Sequence, residues 1–171
     1  MKLEKFKLLV FIVCSLVCLQ NIFAQKHFPE KCEGIWQGTM YMYNRGVIRD
    51  SVDIKFTVKA AEEKNSWIWK TEYLSEKMAM TKDYLIKVDK ETPNRYILDE
   101  KNNIELYDYL FGNKLYSVFE TQNILLTATY ELAGENLIFE VTSGRKIKSD
   151  QKEVINYSVL NVQRVVLTKA H

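Results

Sequence analysis

The chain has 171 residues, with 24 Lys and Arg against 22 Asp and Glu, and residues 1–24 hold three of the lysines and one of the glutamates. Without that segment 21 basic and 21 acidic side chains remain, so nothing draws the chain generally to nucleic acid or anionic membrane. Of three cysteines only Cys32 lies beyond residue 24, which excludes an internal disulfide and leaves stability to the core.

The first segment reads as an export signal. Lys2, Lys5 and Lys7 precede the apolar run 8–19, and Ile22-Phe23-Ala24-Gln25 offers cleavage after Ala24. The run of 12 residues is short of the roughly 20 that span a bilayer as a helix. Bulky Val13 and Val17 precede Cys14 and Cys18, where lipid attachment needs a small residue, so no stable membrane anchor is expected. Residues 25–171 then make one domain, long enough to bury about 70% of the surface of its unfolded chain. The expected compartment is periplasmic or extracellular.

Beyond the signal, short apolar/polar alternations recur and no window shows helical spacing. The first run puts Trp36, Gly38, Met40 and Met42 on one side and Gln37, Thr39, Tyr41 and Tyr43 on the other. Asn44-Arg45-Gly46 supplies a turn, and Val52, Ile54, Phe56 and Val58 then share a face. Further strand patterns fall at 67–73, 78–88, 95–98, 104–111, 115–120, 124–132, 137–141 and 154–168. Asn102-Asn103, Gly112-Asn113, Gln122-Asn123 and Gly134-Glu135-Asn136 punctuate them as hairpins, and one long polar link is expected over 142–153. Tightly linked runs favour an antiparallel meander, and closure removes its two exposed edges. The predicted fold is an all-β, antiparallel up-and-down barrel of about 8–10 strands.

Gly34-x-Trp36 at the head of such a meander resembles the calycin superfamily of lipocalins, fatty-acid-binding proteins, avidins and nitrobindin-like barrels. The resemblance implies that Gly34 bends the chain into the barrel base and that Trp36 plugs the closed end. It also implies that an arginine of the last strand covers the indole. Arg164 shares a parity with Leu160, Val162 and Val166 and is the expected cover. Gly38 is expected where packing is tight. The last strand reads Arg164-Val165-Val166, without the Arg-x-Tyr of fatty-acid-binding proteins. No histidine lies between Phe28 and Ala170, so neither haem nor another cofactor is expected.

The missing histidine also removes Ser/His and Cys/His catalysis and most zinc sites from the core, and the six glycines form no phosphate loop. No metal site and no enzyme activity is expected. A paired-carboxylate enzyme is a weaker alternative, and Asp83, Asp99, Glu105 and Asp108 are read as solvated strand faces. Gly144-Arg145-Lys146-Ile147-Lys148 reads as a solvated loop, and Asn156-Tyr157-Ser158 as a chance glycosylation match inside a strand. Cys32 is open between a reactive and an inert thiol. The aromatic content points to binding. Trp67, Trp69 and Tyr73 share one parity, as do Met78, Met80, Lys82, Tyr84, Ile86 and Val88. If both faces point inward, Trp67, Trp69, Met80 and Tyr84 wall a site for a small, mainly apolar or amphipathic molecule, with Lys82 as polar contact. The alternative is a protein-interaction module with a solid interior and exposed aromatics such as Tyr41, Tyr43 or Tyr107.

Overall fold

The computed structural model describes residues 26–76, 79–147 and 153–170; the segment 1–24 expected as an export signal and Met78 lie outside them. A single helical turn, α1 (Phe28–Lys31), precedes ten strands. These are β1 (Gly34–Asn44), β2 (Val47–Ala60), β3 (Ser66–Leu74), β4 (Met80–Val88), β5 (Arg95–Asp99), β6 (Glu105–Phe111), β7 (Lys114–Thr121), β8 (Ile124–Ala133), β9 (Asn136–Lys146) and β10 (Tyr157–Lys169). Each pairs antiparallel with its chain neighbour, and β1 pairs with β10, so the sheet closes into an up-and-down barrel as expected. The turns use the predicted residues. Arg45 and Gly46 both have positive φ, as do Gln122 and Asn123, the backbone that matches the twist of two-residue hairpins.

Two elements differ from the sequence reading. β9 runs on to Lys146 through Thr142, Ser143 and Gly144, which had read as loop. It continues because both of its edges are paired, to β8 and β10, so the ladder holds without apolar side chains. Helix α1 was not foreseen. It is one turn long, too short to leave a periodic signal, and it buries Phe28 and Pro29 against the barrel.

One half of the interior is packed solid. Trp36, Phe56, Val58, Trp67, Trp69, Ile86, Tyr96, Leu115, Tyr130, Leu137, Phe139, Val165 and Leu167 are all buried. α1 closes this end. The Phe28 backbone N–H donates to the Tyr96 hydroxyl (3.1 Å), the Trp36 indole to the Cys32 carbonyl (2.8 Å) and the Trp67 indole to Glu33 Oε1 (2.9 Å). Gly34 has φ +136°, a conformation that side chains rarely adopt, and a Cβ there would strike the Lys169 stem. A Cβ on Gly38 would run into the Val166 carbonyl, so β1 and β10 approach closely there.

The cover of Trp36 is a correction. Arg164 faces outward and bonds Glu140 (Nε to Oε2, 3.3 Å), while Lys169 sets its Nζ 5.4 Å from the centre of the Trp36 ring. Both parities of β10 are apolar in sequence, so the pattern alone does not choose between them. Pairing chooses: Val165 and Leu167 lie opposite Phe139 and Leu137 and are buried with them. A bulge between Val159 and Asn161 breaks the alternation besides.

The outer wall carries ion pairs: Lys55 and Lys70 flank Glu72, Lys87 bonds Asp99, and Lys114 bonds Glu131. A charged exterior around an apolar interior is the reverse of the lipid-facing arrangement of membrane-spanning barrels.

Candidate functional site

Toward the other end the inward positions change character. Met42, Asp50, Val52, Tyr73, Met80, Lys82 and Gln163 follow the buried ones along their strands, and none of them is fully buried. They line a cavity of about 680 Å³ that opens at the rim, where Thr39, Ser51, Asp53 and Leu74 join from the outer face of the wall. That volume is ordinary for a small-molecule site.

The wall across the barrel carries small side chains. Register places Ser117 opposite Ala128, Ala128 opposite Val141, and Val141 opposite Gln163, a row of small or slender inward side chains. Leu126, Ala128 and Val141 face the interior and are nevertheless only half-buried. Below this row lies an aromatic floor. Trp69 meets Phe56 (4.9 Å) and Tyr130 (5.0 Å) edge-on, and Tyr130 stacks on Phe139 at 4.4 Å. Such contacts add about 0.5–1.5 kcal/mol per pair beyond area burial.

An acidic side chain is buried in this interior. Asp108 lies between inward Leu106 and Leu110 on β6 and is 2% exposed. Burial pushes its carboxyl up to about 6, and the Ser117 hydroxyl beside it offsets part of the rise. Asp108 Oδ1, Ser117 Oγ and Trp69 Nε1 are buried and make no hydrogen bond of regular geometry among the described residues, but Ser117 lies close enough to Asp108, and Trp69 to Tyr130, to lower the pKa of Asp108 and of Tyr130 by hydrogen bonding. β6 and β7 share only the three rungs next to their hairpin, Tyr109 to Phe111 against Lys114 to Tyr116. Asp108 and Ser117 are the next inward pair beyond the last rung. Tyr130 lies in the same neighbourhood: burial raises its hydroxyl well above the usual range, with Tyr73, Asp108 and Tyr84 adding to the rise.

The expected site residues divide between the two halves. Met80 and Lys82 line the cavity, with Lys82 exposed at its rim. Tyr84 faces inward, and burial followed by the charge of Glu100 raises its hydroxyl. Trp69 is fully buried in the floor. Trp67 stands in the closed end, bonded to Glu33 and edge-on to His27 at 5.7 Å, away from the cavity wall. Gly34 and Trp36 lie at the base. Of the four candidate carboxylates, Asp83, Asp99 and Glu105 pair with lysines on the outer wall, and only Asp108 faces in, against its reading as solvated. Its signal was present: an acid flanked by leucines at i−2 and i+2. Tyr73, Met42 and Ser117 were not singled out as site residues, because which inward positions meet open space depends on their height in the barrel. Cys32 is buried, and desolvation pushes its thiol up to about 12, which fits an inert thiol.

No protein-family model and no curated protein matches the chain. Among solved structures, a protein of unknown function from the DUF3598 family of Nostoc punctiforme is similar, with TM-score 0.58 and 10% sequence identity over 83% of this chain and 49% of that one. At that identity the likeness shows the barrel fold alone. The chain spans about half the length of that protein, which carries no calycin name.

Proposed function

We propose that this is an exported, lipocalin-like barrel that holds a small, mainly apolar molecule non-covalently in its open half. The observation that carries the reading is the asymmetry of the interior: one end is closed by α1 and packed rings, and the other holds the 680 Å³ cavity. Methionine and tyrosine side chains around that cavity suit an apolar body, since thioethers adapt in shape and ring faces are large. Native mass spectrometry of the protein, purified from an export-competent host without added ligand, tests this. A discrete excess mass lost on denaturation is the expected result. A clean apo mass, together with no uptake of an apolar fluorescent probe, counts against a carrier role.

A second reading has its own observation. On the outer face of β6 and β7, Tyr109, Phe111 and Tyr116 touch one another, with ring centres 6.5 and 5.8 Å apart. Phe111 and Val118 are about two-thirds exposed, and Tyr107 about half. An outward aromatic patch of this kind fits docking of a protein partner. Phe111→Ser, which touches no interior residue, separates the two readings: it abolishes partner capture and leaves probe uptake unchanged.

A further inference from the structure

Alternation along β6 and β7 sorts their side chains by face. Tyr107, Tyr109 and Phe111 on β6, with Tyr116 and Val118 on β7, point away from the barrel and are between 38% and 66% exposed. Together they present roughly 450 Å² of apolar surface, taking such side chains at their usual sizes. A patch of that extent is of the size that marks interaction sites. Homodimer contacts are about 65% apolar, so the patch implies about 1,400 Å² buried between two copies, within the range of specific pairs.

The ends of the patch carry opposite charge. At the hairpin end Lys114 Nζ lies 5.3 Å from the centre of the Tyr116 ring, and the Arg95 guanidinium lies 4.9 Å from that of Tyr107. At the far end Glu105 and Glu120 are exposed. Phe111 and Lys114 are partners in register, and Glu105 and Glu120 lie six residues from them, so the pattern is centred on Asp108 and Ser117. A two-fold axis across the strands at that level sets Glu120 of each copy over Lys114 of the other, and Tyr107 over Tyr109. An axis along the strands sets acid on acid and is disfavoured. Within one copy Lys114 contacts Glu131 (3.2 Å) and Glu120 the Tyr157 hydroxyl (3.1 Å). These solvent-facing contacts hold weakly and leave both groups able to take a second partner.

We propose that this face pairs with the same face of a second copy of the chain to form a two-fold dimer. This rests on the reading of the patch as a protein-docking surface and names the partner.

Sedimentation equilibrium of the purified protein tests it, and a reversible dimer is expected. Phe111→Ser is expected to leave a monomer. Lys114→Glu and Glu120→Lys are each expected to raise the dimer dissociation constant about tenfold or more, because like charges then meet at both symmetric contacts. The double variant is expected to recover most of that loss. The two positions are about 20 Å apart along β7, so recovery comes across the interface and not within one chain. A monomer at every concentration up to millimolar overturns the proposal, and that measurement needs no variant to fold. If Phe111→Ser still abolishes capture of a different protein, only the self-pairing falls; if the patch captures nothing, the docking reading falls with it. A dimer that Phe111→Ser does not weaken, or a double variant no better than the single ones, overturns this pairing.

Discussion

The two halves of this barrel are built from the same ten strands, yet they solve opposite problems. In the closed half every inward side chain has a neighbour, and the polar tips of Trp36, Trp67 and Tyr96 each make a hydrogen bond. In the open half Asp50, Met80 and Lys82 are exposed at the rim, and Met42, Val52, Tyr73 and Gln163 are only part-buried. The difference teaches where the barrel concentrates its packing. Close packing and satisfied donors make the base a fixed platform, and the rim leaves its inward side chains in reach of water.

The largest break in that comparison comes from the shared floor. Trp69→Ala removes a fully buried ring from between Phe56 and Tyr130 and is expected to cost about 3–5 kcal/mol in urea unfolding, whereas Met80→Ala at the rim stays below about 1 kcal/mol. Similar costs for both would mean that the halves are equally packed.

Asp108→Asn tests the buried carboxyl through pH. Its folded value, about 6, lies above the ordinary value near 3.8, so the folded state holds the proton more tightly. The Asp108 contribution is therefore most favourable to folding below about pH 4 and is lost as pH rises through 6. The asparagine variant lacks this loss. Its stability relative to the unaltered protein should rise between pH 4 and pH 7 by on the order of 2–3 kcal/mol. A difference that does not change with pH would place Asp108 in contact with water or a partner.

At the base the effects are smaller and discriminate between two cations. Lys169→Ala is expected to cost about 0.5–1 kcal/mol and to alter Trp36 emission, because the ammonium over the ring is removed. Arg164→Ala, on the outer wall, should stay within about 0.5 kcal/mol and leave that emission alone. The reverse result would return Arg164 to the interior.

The sequence by itself pointed to about 8–10 strands, the hairpin turns and the closed meander. Each rests on a local cause: period-two alternation, residues that accept positive φ, and the need to leave no sheet edge unpaired. Only the tertiary structure decided which face of β10 turns inward, since Val162 and Val166 look as apolar as Val165 and Leu167, and the answer came from the strands alongside. The same holds for the site. Alternation assigns a side chain to the inside but not to a height along the axis, and height separates Trp67 in the plug from Tyr73 in the cavity wall. Asp108 could be read as one acid among apolar neighbours. Its burial beside Ser117 is a property of the closed barrel, because that depends on what the facing strands bring to the same level.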